Sequence, residues 1–469
     1  MQNIFRFSSG PIILSLLILL TSTAFTTDHW EKIDEMLHPR LDHTATLLQN
    51  DKVLIAGGDF PDAELYDPVD RTFQITGALP SYGLRGATAT LLQNGKVLFA
   101  GGMGSQQTAT LYDPQTGNFN PTDSLGVPHS FHTATLLPDG RVLIAGGQDQ
   151  NGLQTHAVCE IYDPQSETFS LTDSLDVDRS SHTATLLSNG HVLIAGGFQT
   201  STPGNGIYIT SCEISDPVSG VFSLAQNLIS PRTGHDATLL ADGSVLISGG
   251  AWNNRYCERY NSTTNSWIQT GDMTVERRSY HTATLLHNGK VLLAGGYTDD
   301  VASSAELYDP ATNSFTAVDS MFTPREQHTA TILSDGNVLV TGGYSTNGPV
   351  NLAEIFIVDD ATSVNVGNQT HIRRDVPESF HLLQNYPNPF NPITTITFKI
   401  KVSSFVELYI INLNGQKVRK LICRSCDSGV HSIDWNGLDN DGKLLTSGIY
   451  LCILESEGYR DVKKLIMQK

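Results

Sequence analysis

The chain has 469 residues, 16% of them charged, with 41 glycines and 20 prolines, a composition that suits short strands joined by tight turns and argues against long helices. The formal charge of −19 is unevenly divided: residues 380–469 carry 11 Lys/Arg against 8 Asp/Glu, leaving 18 against 40 in the first 379. A domain this acidic repels phosphate backbones, so nucleic acid is not an expected partner.

At the N-terminus, Arg6 precedes an apolar run from Ile12 to Leu20 and then Ser22-Thr23-Ala24, the layout of a secretory signal peptide over 1–24 with cleavage near Ala24. The nine residues of that run are too few to cross a hydrocarbon core, which needs about 20. The mature protein is therefore expected to carry no transmembrane helix.

From His43 onward one phrase recurs seven times, beginning HTATLLQNDKVLIAGG and ending HTATILSDGNVLVTGG. The second glycines fall at Gly58, Gly102, Gly147, Gly197, Gly250, Gly296 and Gly343, with spacings of 44, 45, 50, 53, 46 and 47, a period that suits one four-stranded blade. TATLL and KVLIA read as strands around an Asn-Gly or Asp-Gly two-residue hairpin turn. A third strand such as AELYDP stops at Asp-Pro. The fourth centres on Phe73, Phe119, Phe169, Phe222, Trp267 or Phe315 and is followed by a Leu or Met six residues on.

Unit seven has Ser363 where that aromatic is due, whereas Trp30 and Met36 reproduce the spacing of Trp267 and Met273. The N-terminal segment is thus expected to complete the last blade over 28–359, closing the ring and removing open strand edges. The expected fold is all-β: a seven-bladed propeller followed by a small immunoglobulin-like sandwich. Through its diglycines, Glu-x-Tyr-Asp stretches and fourth-strand aromatics, the chain resembles the kelch family; Ala87 and Thr110 in unit two depart from the pattern.

Residues 360–379 lack hydrophobic periodicity and read as a linker. From 380 to 469, YPNPFNP, the NGQ turn, the WNG hairpin and SGIY punctuate alternating strands of a small sandwich. That series is similar to the C-terminal sorting domains of type IX secretion cargo. The resemblance implies passage across the outer membrane of a Gram-negative-type bacterium and recognition by the type IX machinery through Pro387, Asn388, Pro389, Gly448, Tyr450, Lys463, Lys464 and Lys469.

Chemistry is sought against the repeats. A residue present in most blades suits architecture better than a single active site, so His43, His132, His182, His235, His281 and His328 are read as structural. Arg40, Arg179, Arg232, Arg278 and Arg325 are read mainly so, although a guanidinium fork at a loop tip also binds carboxylates. Tyr280-His281 looks like the adjacent pair of copper-radical carbohydrate oxidases, which are kelch-type propellers. That site also needs a second Tyr bonded to a Cys and another axial His, whereas Cys159, Cys212 and Cys257 take the third-strand slot of Ala63, Ala109, Ala305 and Ala353 and read as unpaired packing residues. Cys423, Cys426 and Cys452 permit a disulfide in an exported protein. The DNDG of Asp439 to Gly442 reads as a hairpin turn rather than a calcium loop. Asp123-Ser124-Leu125 and Asp173-Ser174-Leu175 resemble acceptors of some bacterial O-glycosylation systems but fall where a fourth strand ends. No metal, cofactor or catalytic constellation stands out.

Strand alternation puts the two-to-three and blade-to-blade connections on one face. These connections vary in length and carry Phe60, Phe198, Tyr208, Trp252, Tyr256, Tyr280, Tyr297 and Tyr344, with Arg278 beside them. Aromatics among polar groups suit a glycan or protein ligand. The expectation is a secreted or cell-surface binding or adhesion propeller; the alternative is a secreted carbohydrate-active enzyme of copper oxidase type.

Overall fold

The computed structural model describes residues 28–81, 84–104, 107–149, 153–202, 205–217, 219–250, 255–275, 278–358, 381–383, 385, 388, 390, 393–400, 404–412, 416–426, 429–440, 443–456 and 459–467. The expected signal peptide, the linker, Trp252, Pro387, Pro389 and Lys469 lie outside them, as do the side chains of Cys423 and Cys426. No helix of the described residues is long and apolar enough to cross a membrane.

Among the described residues the propeller has seven four-stranded antiparallel sheets, here blades 1 to 7. Blade 1 is His43–Leu47, Val53–Gly57, Asp62–Asp67 and Thr72–Ala78, running from the axis outward. Blade 7 takes Thr329–Ile332, Val338–Thr341 and Ala353–Ile357, and its outer strand is His29–Lys32, with Trp30 opposite Phe356. The innermost strands of successive blades pack side by side all the way round, blade 7 against blade 1 included. Each second strand, Val-Leu-Ile-Ala or a close variant, is buried throughout because both of its faces meet a neighbouring blade.

The inner hairpins differ from expectation in one detail. Only one turn residue per hairpin, Gly95 in blade 2 and Asp51 in blade 1, has positive φ. Gly95 N–H donates to Leu92 O, and Leu92 N–H to Lys96 O. This is a three-residue loop ending in a left-handed residue rather than a two-residue turn. Asn94 shapes it by accepting the Lys96 N–H through Oδ1.

The diglycine couples neighbouring blades. In blade 3, Gly146 and Gly147 have φ of +59° and +116°. A Cβ on Gly146 would lie 2.7 Å from Arg179 O and 2.9 Å from the His182 ring, both in blade 4. Gly147 N–H donates to Arg179 O at 2.8 Å. Glycine is needed for both the backbone sign and the close approach.

The C-terminal module is a separate sandwich. One sheet joins His381–Leu382, Thr394–Ile400 and Gly429–Trp435; the other is ordered Lys417–Cys426, Ser404–Asn412, Gly448–Ser456, Tyr459–Met467. Trp435, Phe390, Phe398, Leu408, Tyr450 and Leu465 are in its core. Asp439 closes a turn by donating its N–H to Lys443 O and accepting the Lys443 N–H through Oδ1.

Candidate binding face around the propeller axis

The recurring histidines form an inter-blade stitch. Each is buried, and its Nε2 shares a hydrogen bond with a hydroxyl of the preceding blade: His132 with Thr88, His182 with Thr133, His235 with Thr183, His281 with Ser248, His328 with Thr282 and His43 with Thr329, at 2.8–3.1 Å. Burial disfavours the cation, holding His43 and His235 down to about 3 and the other four well below the usual imidazole range.

The recurring arginines are buried as well. Arg40, Arg179, Arg232, Arg278 and Arg325 pair with Glu64, Glu213, Glu258, Glu306 and Glu354 of the third strands at 2.6–3.3 Å. Each also donates to the carbonyl of its blade's first diglycine residue. The carboxylates accept N–H groups of the incoming blade connection, as Glu64 does from Leu37 and His38, so each buried charge is compensated. Arg278, grouped with the face residues on its sequence position, is therefore not a surface group. In blade 3, His129 takes the arginine's place, 3.1 Å from Glu160.

Immediately before the inner strands stand Asp42, Gly86, Phe131, Ser181, Gly234, Tyr280 and Gln327, all with positive φ. They are linked blade to blade: Gly86 N–H donates to Asp42 O, Phe131 to Gly86, Ser181 to Phe131, Tyr280 to Gly234, Gln327 to Tyr280 and Asp42 to Gln327. These six backbone bonds link the seven positions round the axis at every junction but that of Ser181 with Gly234, at the face carrying the variable loops. Tyr297 and Tyr344 bridge to Ser279 and Glu326, the residues just before the ring. Blades 6 and 7 thus place Tyr280, Tyr297 and Tyr344 at neighbouring backbone positions beside Glu326 and Gln327, with Asp42 of blade 1 next to Gln327 and the Tyr280 ring lying over Gly234 of blade 5. These tyrosines and Tyr208 are 37–44% exposed.

The polar groups of this mouth act on one another. Gln327 Nε2 donates to Asp42 Oδ2 at 3.3 Å. The Asp42 carboxyl is raised to about 6, chiefly by desolvation, with Arg85 opposing and Asp59 and Glu326 adding to it. Burial raises Glu326 too. The Tyr280 phenol is raised by desolvation first and then by Tyr208, Asp42 and Glu326, which places these groups in one electrostatic neighbourhood.

The other expected face residues are placed differently. Phe198 lies under a hairpin, Phe198–Thr202 with Asn205–Tyr208, its ring pressed on Gly206 and 6.1 Å from the Tyr208 ring. Phe60 stacks on His38 at 4.4 Å. Tyr256 begins a third strand, with the Arg232 guanidinium over its ring and its hydroxyl bonded to Ser230. Asp42, Glu326 and Gln327 belong to no motif read from sequence; their common place just before or beside the repeated histidine position is the signal that marks them.

A copper site of the oxidase kind does not fit these residues. The positive φ at Tyr280 sends its side chain and that of His281 apart: Tyr280 is on the open face, while the His281 ring is buried against Gly249 and bonded to Ser248. Among the described residues no group of three His, Cys, Asp or Glu could hold a metal ion. Cys159, Cys212 and Cys257 are buried and free, their thiols pushed up to about 12 by desolvation.

In the sandwich, Asn388 reaches the last strand: its Nδ2 donates to Lys464 O at 3.0 Å and its Oδ1 accepts the Ile466 N–H at 2.7 Å. Tyr450 is buried, its hydroxyl bonded to Thr446 O, and Gly448 opens its strand. Lys464 is exposed and Lys463 half-buried. Cys452 is buried and free.

A ring of seven four-stranded blades stitched through diglycines defines a β-propeller. Its repeat matches the model of the Kelch motif over residues 277–322, and residues 384–468 match that of the secretion system C-terminal sorting domain. A comparison with curated proteins finds no match. Among solved structures the chain is similar to a fungal alcohol oxidase of the AA5 family in complex with copper, at 14% identity and a TM-score of 0.62, over 94% of this chain and all of that one; at this identity the likeness is one of fold. The chain is a kelch-repeat β-propeller protein with a C-terminal type IX secretion sorting domain, and the sorting domain makes it a secreted or surface-attached cargo of that machinery.

Proposed function

We propose that the propeller is a non-catalytic binding or adhesion module whose glycan or protein ligand lies across the tyrosine cluster at the axial mouth. The observation that carries this reading is the grouping of Tyr280, Tyr297 and Tyr344 with Glu326, Gln327 and Asp42 on one open sector. Flat rings cover C–H faces, and the carboxylates and amide supply directional hydrogen bonds, a division of labour suited to sugar rings.

Export supports the reading, since a secreted propeller meets extracellular ligands. The test is a glycan and peptide array probed with the full chain. Tyr280→Ala and Tyr297→Ala are each expected to weaken binding about tenfold, equivalent to about 1.4 kcal/mol. An array without hits, or affinity untouched by both changes, refutes it. The enzymatic alternative shares only its fold with the alcohol oxidase; stoichiometric Cu(II) uptake with peroxide release from sugars or alcohols would establish that reading instead.

A further inference from the structure

The last two strands of the sorting domain, Gly448–Ser456 and Tyr459–Met467, pair Ile449 with Ile466, Leu451 with Lys464, Ile453 with Val462 and Glu455 with Arg460. Their alternate residues Tyr450, Cys452, Leu454, Leu465 and Met467 fill the core. The opposite face of the same hairpin is also apolar: Ile449 is 40% and Val462 41% exposed, Leu451 and Ile466 are half-buried, and Lys464 is exposed among them. Ile411, opposite Leu451 on the next strand, continues the patch. A solvated face of an antiparallel sheet ordinarily alternates to polar residues, so a contiguous apolar face holding Lys464 and bordered by the ion pairs Arg460–Glu455 and Lys417–Glu407 marks an interaction surface.

The edge of this hairpin is less open than its face. Asn388 already satisfies the backbone at Lys464 and Ile466, and Phe390 N–H donates to Ile466 O. A partner therefore meets side chains here rather than adding a strand. Charge narrows its chemistry: this module carries 11 Lys/Arg against 8 Asp/Glu, while the rest of the chain is strongly acidic.

We propose that the outer face of this terminal hairpin, centred on Ile449, Val462 and Lys464, is the surface by which the sorting domain docks on a protein subunit of the export machinery that presents an apolar patch bordered by carboxylates. The proposal rests on the reading that the machinery recognises this domain. It gives the module's residues three roles: Tyr450 and Phe390 build the fold, Asn388 positions the last strand, and Ile449, Val462 and Lys464 make contact.

The experiment expresses the full chain in a cell with a type IX apparatus. Ile449→Asn with Val462→Asp, and separately Lys464→Glu, are expected to lower the exported fraction at least tenfold, with the retained protein's sandwich still protease-resistant. Ile393→Asn, an exposed apolar position at the start of the other sheet, exports normally. Wild-type export of the hairpin variants, where deletion of 384–468 abolishes export, overturns the docking face and leaves recognition of the domain standing. Export that survives the deletion overturns recognition itself. A photo-crosslinking residue at position 462, in an otherwise unaltered chain, is expected to capture a machinery subunit; capture only from position 393 overturns the proposal independently of how the substitutions fold.

Discussion

Leu84 and Thr110 line the same small cavity in blade 2, at the two positions that hold the buried pair Arg40 and Glu64 in blade 1. The cation and its carboxylate are thus replaced together, leaving neither charge buried alone. Arg85, one residue on, turns to Asp59 at 2.7 Å instead.

That pairing sets a double-mutant test. Arg40→Leu or Glu64→Thr alone strands a buried charge and should cost about 3–5 kcal/mol. The two together recreate the blade 2 arrangement and should cost well under the sum of the single changes. Urea midpoints of the four proteins check this, and additive losses would reject the coupling.

The histidine stitch predicts an acid limit. Imidazoles held far below their unfolded value near 6.5 favour the fold in their neutral form. Their contribution is complete above about pH 6.5 and is lost as pH falls toward 3, at about 1.4 kcal/mol per pH unit per group. Asp42 and Asp236, raised to about 6, act oppositely, gaining stability as pH drops from 6 toward 4. With the six stitching imidazoles and His156 set against the raised carboxyls of Asp42, Asp236 and Glu326, the urea midpoint should decline below pH 6.5. His281→Asn should make that decline shallower, and a midpoint constant from pH 7 to 4 would contradict the account.

Two glycines of similar φ separate strain from crowding. Gly289, at +84°, has nothing within 4 Å of where a Cβ would stand, so Gly289→Ala should cost only the left-handed penalty of about 1–2 kcal/mol. Gly146→Ala must also displace Arg179 O and the His182 ring and should cost clearly more. Thermal unfolding of the pair decides; equal losses would mean that the blade contact is soft.

Ring closure depends on Trp30. Its ring lies 5.0 Å from that of Phe356, and its Nε1–H donates to Asp319 O in blade 6 at 2.7 Å. Trp30→Ala should cost about 3–5 kcal/mol and release the blade 7 edge, producing concentration-dependent association in light scattering. A monomer of unchanged stability would show that the outer strand is dispensable.

The sandwich hides its logic from sequence for a geometric reason. YPNPFNP and the terminal lysine-rich strand are about as far apart along the module as two segments can be. Asn388 and Ile466 nevertheless share a hydrogen bond, and Phe390, Trp435 and Tyr450 pack tilted and edge-on in one core.

Repetition made the propeller legible. A phrase with a constant diglycine, a constant hairpin and a constant aromatic specifies the same local backbone seven times, and the displaced Trp30-Met36 spacing even locates the strand that seals the ring. Local pattern does not specify which side of a strand end faces water. Arg278 and Tyr280 are two residues apart on one loop, yet one is fully buried against Glu306 and the other lies open at the axis. That division comes from the left-handed backbone at Tyr280 and from the neighbouring blade packed beside it. Burial of this kind belongs to the assembled ring, so only the tertiary structure could assemble Tyr280, Tyr297, Tyr344, Glu326, Gln327 and Asp42 into one site.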